Sequence, residues 1–145
     1  MLSREDALDI IEKAYPARTR GDKAVLAKYW AEGARFRIAG DRTNIQSVPL
    51  EGETPMAAIS ELIDRFTFSE LQRLDAVVED HMVAVRWAVN VSYEGQRPVR
   101  TEMMDFIHLD DDGKIQSLIQ YADTAQIRAL VEAAQTAAST PTARL

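Results

Sequence analysis

Few side chains in this sequence could do chemistry, and the first is a carboxyl in apolar company. Alternation around Asp105 puts Met103, Asp105, Ile107 and Leu109 on one strand face, facing Val85, Trp87, Val89 and Val91 of the preceding run. An apolar setting disfavours the anion, which raises the carboxyl pKa and makes Asp105 a general acid or hydrogen-bond donor near neutrality. The competing reading leaves Asp105 ionised and paired, with Arg18, on the inward stripe of the first helix, as the cation in reach. Gln120 shares the inner face with Leu118 and Ala122, and its amide can orient a ligand but cannot exchange protons at neutral pH. Tyr15 and Tyr93 could each donate a phenol hydrogen bond at the ends of a cavity, although a tyrosine on an apolar stripe is more often core with its hydroxyl at the rim.

Other chemistries are poorly supplied. Cysteine is absent, which removes disulfides, thiolate nucleophiles and Cys-ligated metals and suits a reducing compartment. His81 and His108 read as exposed and have no carboxylates at ligand spacing, so neither a metal site nor a cofactor is expected. Asp110-Asp111-Asp112-Gly113 reads as a turn, because a calcium loop that began at Asp110 would end in an acid where Tyr121 stands. No glycine-rich phosphate loop and no serine elbow appears. The net charge of −6, with 23 acids against 17 dispersed bases, gives a nucleic-acid backbone no footprint. No stretch approaches about 18 apolar residues, and MLSREDALDI carries acids where a signal peptide needs an apolar core, so a cytoplasmic protein without a membrane partner is expected.

The elements that must position these groups follow from periodicity and caps. Ser3 with Asp6 opens a helix near Arg4 whose stripe is Ala7, Leu8, Ile11, Ala14, Tyr15 and Arg18, and Pro16 should kink it or end it before Gly21. Asp22 caps a second helix, KAVLAKYWAE, closed by Gly33, with Val25, Leu26, Tyr29 and Trp30 as its buried face. Ala34 to Ala39 alternates Phe36 and Ile38 against arginines as a short strand, and Gly40 to Glu53 is a loop expected to flank a cavity mouth. Thr54 and Pro55 open a third helix with Met56, Ile59, Ile63 and Phe66 on one face, and Glu70 to Glu79 reads as a strand. Met82 to Asp123 is a three-strand meander turning at Glu94-Gly95 and at the aspartate cluster, and Asp123 with Gln126 caps a final helix. The fold class is α+β, with helices on one face of a curved, mainly antiparallel sheet. One domain spans 1–138, and 139–145 reads as a flexible tail with nothing to bury.

That order, together with AYPARTRGDKAVLAKYWAEGARFRIAG and DFIHLDDDGKIQSLIQYAD, resembles the SnoaL-like branch of the nuclear transport factor 2 fold from roughly Leu8 to Leu130. The resemblance implies a conical, barrel-like mixed sheet with a half-open apolar pocket against the N-terminal helices, and frequent dimers through the outer sheet face. A homodimer is therefore expected, with Ala84, Arg86, Ala88, Asn90 and Ser92 on that face. Matched to ketosteroid isomerase, Ile38 stands where the proton-abstracting aspartate would be, Ala14 where the oxyanion-binding tyrosine would be, and Asp105 at the neutral, hydrogen-bond-donating aspartate. Matched to limonene epoxide hydrolase, Trp87, Val89 and Gln120 replace an arginine and two aspartates.

The implied site has Asp105 as its catalytic acid and Tyr15, Arg18, Trp30, Phe36, Ile38, Trp87, Val89, Ile107, Leu118 and Gln120 as ligand-binding residues. Two functions stand beside each other. One is an isomerase, lyase or hydrolase acting on a small hydrophobic, oxygen-bearing molecule of steroid-like or terpenoid-like shape. The other is a non-catalytic binding or dimeric assembly module that keeps the cavity without the chemistry.

Overall fold

A computed structural model of the chain describes residues 2–40 and 54–139. Helix α1 (Arg4–Arg20) starts where Ser3 and Asp6 satisfy each other's backbone: Asp6 N donates to Ser3 Oγ at 3.0 Å and Ser3 N donates to Asp6 Oδ2 at 3.3 Å. It buries Ala7, Ile11, Ala14, Tyr15 and Ala17. Pro16 does not end it. The last turn is closed instead by Gly21 at φ 69°, whose N–H reaches the carbonyls of Ala17 and Arg18, a conformation open to glycine at little cost.

Helix α2 (Lys23–Ala27) is a single turn after the Asp22 cap, shorter than the ten-residue helix its composition suggests. Strand pairing wins the rest of that segment. β1 (Trp30–Ile38) already includes Trp30, and Ile115 N donates to Tyr29 O at 2.7 Å just before it. Gly33, at φ 74°, is not a helix terminator but sits where the strand's register shifts between Trp30 and Arg35.

Helix α3 (Pro55–Arg65) begins at the Thr54 cap, as the sequence indicates. β2 (Phe66–Glu79) takes over at once, so Phe66 opens a strand rather than completing the helix stripe. The meander follows as β3 (Met82–Tyr93), β4 (Val99–Leu109) and β5 (Ile115–Tyr121), and α4 (Thr124–Ser139) starts with Gln126 N donating to Asp123 Oδ1 at 3.0 Å. The strand order is β1-β5-β4-β3-β2, parallel only between β1 and β5, in a curved, unclosed sheet.

Period-two alternation sorts the two faces. Val83, Val85, Trp87, Val89 and Val91 of β3 join Met103, Ile107 and Leu109 of β4 in one core with α1 and with Leu130, Val131 and Ala134 of α4. Asp105 lies among them at 1% exposure. The loop expected at a cavity mouth, from residue 41 on, and the tail from residue 140 lie outside the described residues. Among the described residues no helix is long and apolar enough to cross a membrane.

Candidate functional site

A half-open cavity of about 110 Å³ lies between the helices and the curved sheet. From α1 it takes Ala14, Tyr15 and Arg18; from β1, Trp30, Phe36 and Ile38; from β5, Ile115, Leu118 and Gln120. Leu26, Ile59, Leu62, Phe66, Phe68, Val91 and Ile127 complete the wall, and none of these, nor Ala14 or Ile115, is among the residues expected to hold a ligand. The apolar stripe of α3 pointed to Ile59, but nothing in the pattern said that α3 closes the cavity. Of the residues expected to hold a ligand, Trp87, Val89 and Ile107 are not in the wall; they form the packed sheet surface under α1. Trp87 is covered by the Tyr15 ring, with centroids 4.2 Å apart.

Tyr15 is also the hydrogen-bond partner of Asp105. Its hydroxyl donates to Asp105 Oδ2, bridging α1 to β4, while Asp105 Oδ1 has no hydrogen-bond partner among the described residues. The resemblance placed Ala14 at the tyrosine position; the phenol that meets the carboxyl is the next residue on the same helix. Asp105 itself is absent from the cavity wall, so Tyr15 stands between the carboxyl and the space a ligand would fill. Burial pushes Asp105 up from 3.8 to about 6, and the Tyr15 hydrogen bond, the Gln120 amide and the Arg18 charge hold it from rising further. Gln120 is level with Asp105 across the β4–β5 pair, and its Nε2 approaches Met103 Sδ at 3.4 Å. Burial, then the charge of Asp105, drives the Tyr15 phenol well above its usual range, so it stays protonated.

Arg18 does not pair with Asp105. Its Nη2 donates to the Phe66 carbonyl at 3.0 Å, and its guanidinium lies 3.9 Å from the centre of the Phe68 ring. Among the described residues no carboxylate comes within ion-pairing distance of it. Burial lowers Arg18 to about 10, with the Asp105 charge opposing, so it is a cation at neutral pH. Trp30, also in the wall, has a buried indole N–H with no acceptor among the described residues. Among the described residues no group of three His, Cys, Asp or Glu could hold a metal ion.

Residues 11–118 match a family model described as the SnoaL-like domain. No curated protein matches the chain. Solved structures similar to it include an NTF2-like protein of unknown function from Burkholderia pseudomallei, 14% identical with a TM-score of 0.73 over 86% of this chain and 96% of that one. An NTF2-like protein from Burkholderia xenovorans is 23% identical, with a TM-score of 0.67 over 90% and 99%. An LEH-like epoxide hydrolase from M. tuberculosis is 16% identical, with a TM-score of 0.65 over 92% and 96%. At these identities the likeness is one of fold.

Proposed function

The chain belongs to the SnoaL-like domain family, and on that premise we propose that its cavity binds a compact, apolar, oxygen-bearing molecule and acts on it by acid–base chemistry through Tyr15 and Asp105. The observation that carries this reading is the buried hydrogen bond between the Tyr15 hydroxyl and Asp105, a carboxyl whose pKa of about 6 lets it exchange protons near neutrality. The two protonation states present different phenols. Ionised Asp105 takes the Tyr15 proton as its own hydrogen bond, leaving the phenol oxygen to accept from a ligand hydroxyl. Neutral Asp105 donates to the phenol oxygen, which frees the Tyr15 O–H for a ligand carbonyl or enolate oxygen. Proton gain and loss at Asp105 thereby change what the phenol offers the cavity, a donor to a ligand carbonyl or enolate oxygen when Asp105 is neutral and an acceptor when it is ionised; the described wall residues include no base to take the proton next to that carbonyl.

The cavity volume narrows the ligand. At about 110 Å³ it is nearer to a space of ~150 Å³ that holds benzene than to the room a steroid needs, so a single ring fits best. In the test, cyclohexanone and cyclohexanol are titrated into wild type and Tyr15→Phe while chemical shifts are followed. Wild type should bind the ketone more tightly at pH 5.5 than at pH 7.5, and Tyr15→Phe should lose that dependence. Binding that ignores both pH and the substitution refutes this coupling.

A second reading, a binding module without chemistry, is favoured by Ile38, an apolar wall residue where the resemblance calls for the proton-abstracting carboxylate. We also read the outer sheet face as the surface of a homodimer. Met104, Phe106 and Tyr121 are 40%, 40% and 47% exposed there, with Met104 and Tyr121 paired across β4 and β5, an apolar cluster that a second subunit could cover.

A further inference from the structure

The cavity wall contains one unspent positive charge. Arg18 carries five N–H donors on a planar fork, and the described structure gives one nitrogen an acceptor, the Phe66 carbonyl. The guanidinium carbon lies 3.9 Å from the centre of the Phe68 ring, and among the described residues the other guanidinium nitrogens have no acceptor. A desolvated cation that feels the Asp105 charge but pairs with no carboxylate is incompletely compensated, and a ligand carboxylate relieves it through two parallel hydrogen bonds. Trp30 adds a second buried donor without an acceptor in the same wall. Arg18 is the only charged group in that wall among the described residues. With a net charge of −6 the protein as a whole repels anions, so selection of an acid would have to be local.

We propose that the cavity is a carboxylate-selective site: a single-ring apolar acid binds with its ring against Phe36, Ile38 and Leu118 and its carboxylate on the edge of Arg18. This rests on the cavity being the ligand site proposed above and adds the chemical class of the ligand. The alkyl stem of Arg18 packs in the wall while its head supplies selectivity, so a residue of similar length without charge keeps the shape and removes the preference.

The test uses phenylacetate and its neutral isostere phenylacetamide, titrated calorimetrically into the full chain at pH 7.5, with Arg18→Met and Trp30→Phe as variants. Phenylacetate should bind wild type at least tenfold more tightly than phenylacetamide. Arg18→Met should abolish that preference by weakening phenylacetate more than phenylacetamide, and Trp30→Phe, which keeps an aromatic ring, should cut it severalfold. If Arg18→Met does not fold, Arg18→Lys replaces it and should reduce the preference, because a point charge cannot supply the fork. Equal affinity of the two probes for wild type overturns the proposal but leaves the cavity a ligand site. A preference that survives loss of the guanidinium also overturns it. If neither probe binds, this proposal fails, and the cyclohexanone titration decides separately whether the cavity is a ligand site.

Discussion

Asp105 and Asp75 lie on opposite faces of the same sheet, and their contrast shows how much water decides. On the outer face Asp75 accepts from Arg86 Nε at 3.2 Å and Nη2 at 2.8 Å, and Arg86 Nη1 also donates to Glu102 Oε1 at 2.7 Å. The Arg86 hydrogen bonds hold the Asp75 carboxyl below its ordinary value. On the inner face Asp105 meets a phenol rather than a cation, and burial pushes it up to about 6. The outer carboxylate has a charged partner and solvent, so its ion pair contributes little and could be exchanged freely. The inner one has neither in full, and burying it costs the fold stability.

The largest break in that contrast is Asp105→Asn. The folded carboxyl titrates near 6 and the unfolded one near 3.8, so the fold favours the neutral acid. Its contribution is fully present below about pH 3.8 and is lost as pH rises through 6, a difference of about 3 kcal/mol at 1.36 kcal/mol per pH unit. An amide of the same shape escapes that loss. Asp105→Asn should therefore be more stable than wild type at pH 7.5, by up to about 3 kcal/mol in urea denaturation, with the gap closing toward pH 4. A variant less stable at every pH would mean that the carboxylate is well paired.

A smaller effect sharpens the outer half of the comparison. Phe106→Lys puts a charge on an exposed apolar strand position and should convert a dimer to a monomer by light scattering while leaving the monomer folded. A monomeric wild type at tens of micromolar removes the dimer. The smallest effect is Asp75→Asn, which should leave the melting temperature within error of wild type at all salt concentrations. A marked loss of stability there would show that the two faces do not differ as described.

How far this could be read from the sequence differs by element. The caps at Ser3, Asp22, Thr54 and Asp123 and the alternation of β3 are local signals, and each appears in the fold. Alternation groups Asp105 with Met103 and Ile107 on one face, and the family resemblance identifies that face as the pocket lining. The poor alternation over Glu70 to Glu79 has a physical cause: β2 shifts register against β3 between Ser69 and Gln72 and again between Arg73 and Asp75, with Glu70 at φ 49°. KAVLAKYWAE suits a helix, and only a parallel partner from the far end of the chain, β5, claims Trp30 for a strand. The pairing of Tyr15 with Asp105, and of Arg18 with a backbone carbonyl instead, depends on how α1 crosses the sheet. No spacing along the chain encodes that crossing.

The central claim, that Asp105 is an acid poised near neutrality by burial and by Tyr15, is tested most directly by following its carboxyl carbon. Protein labelled with 13C at aspartate carboxyls, titrated from pH 3 to 8 and assigned by comparison with Asp105→Asn, should show one resonance with a midpoint near 6, moving upward in Tyr15→Phe as the hydrogen bond to the carboxylate is lost. A midpoint at or below about 4 in wild type would mean that Asp105 is an ordinary ionised carboxylate and would contradict the account.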